Sequence, residues 1–246
     1  MIPIPKIVSL TWRAILLIGL SLFVSKMVFG QVLGQKPEKN IYSLMEFDEL
    51  EKVIAEQEEI LKKEPSGITT LKILGIAYHN LSVIGKKGVS KKAFSILAKA
   101  YESKSDDYEI LAYLGSTKTL LGRDAFVPFN KLYYVYEGCQ LMDKAVSKAP
   151  DNFVVRLCRA NNSLALPSFF RRAKYVKKDM FYLLKMGREK KFSPELLATI
   201  YCLLGEYYKV EERWELASDY WEKAVKIAPN SKDGMLSKKR LEVYKP

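Results

Sequence analysis

Apolar residues recur at intervals of three and four positions along most of the chain, as they do in amphipathic α-helices. The stretch 198–231 contains two such stripes in succession. Their positions are Tyr201, Leu204, Gly205 and Tyr208 in a first helix and Ala217, Trp221 and Ala224 in a second. Small residues at Gly205 and Ala217 allow two antiparallel helices to approach to about 8 Å. Pro229 cannot continue the second helix and ends it. The pattern therefore predicts a helical hairpin.

The same spacing recurs three times upstream, with longer connections inside each hairpin. Gly75, Gly115, Ala160 and Gly205 are 40, 45 and 45 residues apart. At least three such units must stack to bury a common core. We expect a leading helix over 43–64, repeats over about 68–106, 108–151, 153–192 and 198–231, and a C-terminal helix over 232–244. The residues expected to pack the repeats together are Gly75, Tyr78, Ala93, Ala100, Gly115, Ala145, Pro150, Ala160, Gly205, Tyr208, Ala217, Trp221, Ala224 and Pro229.

The residues of 198–231 resemble the tetratricopeptide repeat, a helix–turn–helix unit of about 34 residues, with Tyr201 where tryptophan is commoner. The stretch 120–172 is also similar to a subgroup of uncharacterised bacterial proteins of this type, some of them membrane-anchored. The resemblance implies an all-α fold, a right-handed α-solenoid of stacked helix–turn–helix repeats, in which the first helices line a concave face. It implies no known activity.

The first 34 residues have the layout of a targeting segment. Basic residues precede an apolar run over 14–25, and small residues ending in Gly30 or Gly34 follow at cleavage-type positions. The alternative is an uncleaved anchor, because 14–33 is about long enough to cross a bilayer. Either interpretation predicts an exported protein of the periplasm or cell envelope. The expected organisation is a signal peptide or anchor over 1–34, a linker over 35–42 and a repeat domain over 43–246.

Charge is unevenly distributed along the chain, whose formal net charge is +12. Residues 46–64 contain eight carboxylates and three lysines, whereas 171–191 contain nine basic residues and two carboxylates. The basic segment, with aromatics beside it, is a candidate face for anionic lipid. Its residues are Phe169, Phe170, Arg171, Arg172, Lys174, Lys177 and Lys178. The alternative is an ordinary solvated helix face.

Two connections, 122–138 and 164–178, are rich in aromatic residues and follow the first helices of adjoining repeats. We therefore expect both at one edge of the stack. Their aromatic side chains either extend the core or form an aromatic and basic rim beside the groove.

Catalytic chemistry has little support in the sequence. His79 is the single histidine, which excludes sites that need two, and we expect it in surface packing at a helix end. Cys139, Cys158 and Cys202 lack the spacing of a zinc clamp or a redox dithiol and are expected to be buried. No metal, cofactor or enzymatic activity is predicted.

The sequence favours a non-catalytic scaffold that binds a protein or peptide, acidic in character, through the concave groove. The groove residues expected to be exposed on the first helices are Lys72, His79, Lys118, Arg156, Arg159, Asn162 and Glu206. The alternative is an adaptor at a membrane surface that uses the basic and aromatic face. Nucleic acid is not expected as a partner, because export separates the chain from it and the acidic segment 46–64 interrupts any basic track.

Overall fold

Ten α-helices follow one another in the computed structural model, which describes residues 41–42 and 44–244; no strand occurs within these residues. In chain order they are α1 (Phe47–Lys63), α2 (Ile68–Val83), α3 (Ser90–Ser103), α4 (Tyr108–Asp124), α5 (Pro128–Lys148), α6 (Phe153–Ala165), α7 (Ala173–Lys190), α8 (Pro194–Val210), α9 (Trp214–Ile227) and α10 (Lys232–Val243). A 3-10 turn, Ser168–Phe170, precedes α7. The predicted all-α fold is confirmed.

The predicted signal peptide or anchor over 1–34 lies outside the described residues, as does most of the linker over 35–42. Within the part of the chain that the structure describes, no helix combines the length and apolar character needed to cross a bilayer.

Capping side chains explain where several helices begin. Asp107 accepts hydrogen bonds from the backbone N–H groups of Glu109 and Ile110, at the start of α4. Asn152, Ser193 and Ser231 cap α6, α8 and α10 in the same way. Such caps satisfy backbone donors that have no partner within the helix. Short polar connections between hairpins thus define the first helices.

The helices form four hairpins, α2–α3, α4–α5, α6–α7 and α8–α9, with α1 and α10 at the two ends. Each first helix also contacts the next, so that α2, α4, α6, α8 and α10 form a continuous row. This consecutive packing is consistent with an α-helical repeat.

Small residues lie where the paired helices approach each other. A Cβ atom on Gly75 would lie 2.6 Å from Cγ of Leu97, and one on Gly205 would lie 2.4 Å from the ring of Trp221. Both distances are shorter than real Cβ contacts, so a side chain at either position would displace Leu97 or Trp221. The alanines of the repeat pattern are fully buried, namely Ala93, Ala100, Ala145, Ala160, Ala217 and Ala224. Tyr78, Tyr208 and Trp221 are buried as well.

Pro150 and Pro229 do not pack in this core. Both side chains are exposed, and each proline lies two residues beyond the last residue of its helix, α5 or α9. Their expected place among the packing residues is therefore wrong. A proline lacks the N–H that a continuing helix would need, so these residues help to end the helices.

Hydrogen bonds along the row show that its first three helices run parallel. Near the starts of α2 and α4, Lys72 bonds to Asp107, and near their ends Arg123 bonds to Ser82. Helices α4 and α6 are also parallel. Asn152 bonds to Glu109 near the starts of the two helices, and Asn162 bonds to Thr119 near their ends. The connections inside the first three hairpins therefore emerge on one side, which we call the loop edge. It comprises the connections 84–89, 125–127 and 166–172 and the first turns of α5.

Candidate binding surfaces

Three of the seven predicted groove residues are buried instead of exposed. His79, Arg156 and Arg159 each keep 6% or less of their surface accessible. His79 is covered by α4, the next helix of the row, and the two arginines are covered by the second helices α5 and α7. The expectation of exposed groove contacts is wrong for these three residues.

His79 lies within α2 and faces α4, so its expected place in surface packing at a helix end is also wrong. Thr117 donates its hydroxyl proton to the carbonyl oxygen of Tyr113, which leaves the hydroxyl to accept from His79 Nδ1 at 3.1 Å. The Tyr113 ring and the imidazole form a T-shaped pair with centroids 5.1 Å apart. Burial, with a smaller contribution from the charge of Arg123, lowers the pKa of His79 to about 3. His79 is therefore a neutral contact between two helices.

The other four groove residues also have partners within the chain. Lys72 Nζ lies 2.9 Å from the Asp107 carboxylate and 2.7 Å from that of Glu109. Lys118 pairs with Glu137 on α5 at 3.2 Å.

Asn162 donates to Thr119 Oγ1 at 2.6 Å, and Glu206 accepts from Arg240 Nε at 2.7 Å. These bonds hold neighbouring helices together, and the side chains that make them are not free for an extended ligand. The polar groups of the predicted groove therefore stabilise contacts between helices, some along the row of first helices and some with the second helices.

A buried network of three arginines and two aspartates joins α5, α6 and α7. Asp179 is fully buried and accepts from Arg156 Nη1 at 2.7 Å and from Arg159 Nε and Nη2 at 2.8 and 2.6 Å. Asp143 accepts from Arg159 Nη1 at 3.0 Å and from both terminal nitrogens of Arg172 at 2.7 and 2.8 Å. Each carboxylate thus bridges two guanidinium groups.

Aromatic rings complete the network. The guanidinium of Arg156 lies 3.5 Å from the ring centroid of Tyr182, and that of Arg172 lies 3.9 Å from that of Tyr175. Burial raises the pKa of Asp143, but hydrogen bonds and charge from Arg172 and Arg159 outweigh burial and hold it below its usual value. These pairs have no signature in the local sequence pattern, because the aspartates and the arginines come from different segments of the chain. The network fixes the third hairpin against the second.

Only part of the predicted basic and aromatic face is exposed, because one of its arginines belongs to this network. Arg172 turns inward to Asp143 and is only 10% exposed, so it cannot contact a surface outside the protein. Phe170 is partly buried and packs on Phe169, with ring centroids 4.2 Å apart. The exposed members of the predicted face are Phe169, Arg171, Lys174, Lys177 and Lys178.

Among residues 44–244, several large apolar side chains are exposed together at the start of α5. Phe129, Leu132, Tyr133 and Tyr136 follow one another at helical spacing, with 75%, 52%, 49% and 63% of their surface exposed. Phe126, just before the helix, is 97% exposed. We call these five side chains the α5 stripe. The spacing of the sequence predicts these aromatics at one edge, either as a rim or as extra core, and the five exposed side chains form a rim.

The α5 stripe is exposed because α5 packs against α4 on its other side. A Cβ atom on Gly122 of α4 would lie 2.9 Å from the carbonyl oxygen of Lys131 and 3.0 Å from a methyl group of Val135. Val135 is buried, as are Gly138 and Met142 further along the same face. The helix is therefore apolar on two sides and buries only one.

The two edges of the first three hairpins differ in charge. On the loop edge, residues 84–89, 125–131 and 166–172 contain five Lys or Arg and no carboxylate. The connections 64–67, 104–107 and 149–152, at the opposite ends of these helices, contain one lysine, four carboxylates and no aromatic residue. Basic and aromatic side chains therefore occur together on one edge.

Potential metal ligands and nucleophiles do not gather into a site. Among the described residues, no group of three or more His, Cys, Asp or Glu side chains is placed to hold a metal ion. Cys139, Cys158 and Cys202 are buried free thiols. Burial raises the pKa of Cys158 and of Cys202 to about 12, which disfavours the reactive thiolate.

Comparison with known proteins does not place the chain in a family. No protein-family model matches it, and no curated protein matches it significantly. The likeness of 198–231 to the tetratricopeptide repeat therefore rests on residue spacing.

Proposed function

We propose that the chain is an exported, non-catalytic scaffold of tetratricopeptide-like repeats, stacked as a right-handed solenoid, that docks through its loop edge. The four helical hairpins, the glycines at their closest approach and the row of first helices support this type of repeat. The apolar and basic N-terminal segment supports export.

One observation carries the choice of surface, namely the α5 stripe. Folded proteins seldom leave several large apolar side chains exposed side by side, and such patches mark interaction sites. The stripe presents Phe129, Leu132, Tyr133 and Tyr136 on one helix face, with Phe126 beside it. Burial of these side chains against a partner lowers the free energy, because it removes apolar surface from water.

The concave groove is the weaker candidate for docking. Each of its seven predicted contact residues already has a partner within the chain, and three are buried. A ligand would have to break bonds that hold the repeats together. The loop edge needs no such rearrangement.

Site-specific photo-crosslinking in intact cells tests this proposal. A benzoylphenylalanine residue replaces Phe129 on the loop edge or Asn161, an exposed residue of the first helix α6. We expect light-dependent adducts from position 129 and few from position 161. The mass of each adduct identifies its class. Adducts that form mainly from position 161 would identify the exposed side of the first helices as the docking surface and refute docking through the loop edge.

A further inference from the structure

We propose that the loop edge docks on an anionic phospholipid bilayer. This inference rests on the proposed function and names the partner of the same surface. It follows from the shape, the charge and the residue types of the loop edge.

The shape of the loop edge suits a broad surface. Residues 126–133 are all exposed, and the α5 stripe stands on the outward side of a helix instead of lining a cavity. A protein helix would need a groove with apolar walls. A bilayer needs none, because its lipids rearrange around side chains that enter it.

Charge complementarity selects an anionic surface. Lys131 and Arg171 are exposed on the loop edge and form no ion pair with any residue between 44 and 244. The opposite edge has an excess of carboxylates, so a negatively charged membrane would attract one edge and repel the other. This asymmetry orients the chain before any apolar contact forms.

The residue types match the depth profile of a membrane interface. Phe126, Phe129 and Phe169 are the most exposed aromatic side chains of the loop edge, and their rings are apolar throughout. Tyr133 and Tyr136 follow them along α5. Tyrosine prefers the headgroup region, where its ring is in apolar surroundings and its hydroxyl stays hydrated. In the docked protein the phenyl rings therefore lie among the acyl chains, and the tyrosine rings lie at the level of the headgroups.

A local probe tests the inference in the full chain, so that attachment of the N-terminal segment to a vesicle does not obscure the result. Asn130→Cys places a single exposed thiol within the loop edge and keeps every aromatic residue. Ser105→Cys places a control thiol on the opposite edge. The native cysteines are buried and stay unlabelled. Each variant carries a nitrobenzoxadiazole label, and the measurement is its reduction by dithionite in the presence of vesicles.

Vesicles of phosphatidylcholine with phosphatidylglycerol should protect the probe at position 130 and leave that at position 105 accessible. Phe126→Ser plus Phe129→Ser should abolish protection. Lys131→Gln plus Arg171→Gln should lower the ratio of protected to accessible probe roughly 25-fold. Lys63→Gln plus Lys104→Gln, at the opposite edge, is the matched control and should leave the ratio unchanged.

Several outcomes would overturn the inference. They are equal protection at positions 130 and 105, no protection at either, or equal protection by vesicles of phosphatidylcholine alone. Protection at position 130 without vesicles, rising with protein concentration, would identify a second copy of the chain as the occupant. A protein adduct from position 129 in cells, with no protection by vesicles, would retain docking through the loop edge and refute the lipid as its partner.

Discussion

Gly115 in α4 and Gly138 in α5 meet backbone to backbone. A Cβ atom on Gly138 would lie 2.4 Å from the carbonyl oxygen of Gly115, and one on Gly115 would lie 2.7 Å from that of Gly138. Neither distance is possible for a real side chain. The hairpin that presents the α5 stripe is therefore held at a separation that only two glycines allow.

Gly138→Ala should destabilise the protein by about 1–3 kcal/mol, because the added methyl group must push two backbones apart. Denaturant unfolding followed by circular dichroism measures the loss. Gly67→Ala is the control: its Cβ would meet the Thr70 side chain at 3.3 Å instead of a backbone, and its φ of −60° is open to alanine, so the loss should be smaller than that of Gly138→Ala. Equal stability of Gly138→Ala and the wild type would contradict the backbone contact.

Asp179→Asn should lower the free energy of unfolding by about 3–5 kcal/mol, because it leaves buried guanidinium groups without a compensating charge. The measurement is again denaturant unfolding. Asp219→Asn, which removes one partner of the exposed Asp219–Lys223 pair, should change stability by about 1 kcal/mol or less. Similar losses in the two variants would mean that the network contributes no more than a surface ion pair.

The neutral state of His79 should make stability depend on pH. The folded pKa of about 3 lies below the unfolded value of 6.5. Below pH 6.5 His79 therefore binds a proton in the unfolded chain but not in the folded chain. The free energy of unfolding then falls as pH falls toward 3. Between pH 7 and 4.5 the wild type should lose about 2 kcal/mol more than His79→Gln. Parallel stability curves for the two proteins would show that His79 is not buried neutral.

The three thiols should resist labelling in the folded protein. Burial raises the pKa of Cys158 and of Cys202 to about 12, so the thiolate is a very small fraction at pH 8. Ellman's reagent should react slowly with the native chain and rapidly with all three thiols in denaturant. Fast reaction of the native protein would contradict the packing of these helices.

The repeat architecture could be predicted because spacing alone encodes it. Glycine or alanine must lie where paired helices touch, and Gly75, Gly115 and Gly205 do so. The prediction of side-chain exposure on the first helices was less successful. Whether such a face is open depends on how closely the second helix of the same hairpin and the helices of adjoining hairpins approach, and the local sequence pattern does not specify those distances. Asp179, the partner of Arg159, lies 20 residues further along the chain on another helix.

The α5 stripe illustrates a second limit. Apolar residues occupy both sides of this helix, with Val135 and Met142 on one and Phe129 and Tyr136 on the other. Residue type alone cannot determine which side meets α4. The glycines Gly122 and Gly138 decide it, because only their side of each helix admits close contact.

The hydrogen bonds along the row of first helices have a consequence for how the loop edge meets a partner. Bonds such as Asn162 to Thr119 and Arg123 to Ser82 keep adjacent hairpins in register, so their connections hold a constant spacing. Once one connection binds the partner, the other connections are held close to it, so each has a high effective concentration for its own contact. Affinity at this edge is then a product of several weak contacts, and removal of any one of them reduces it steeply.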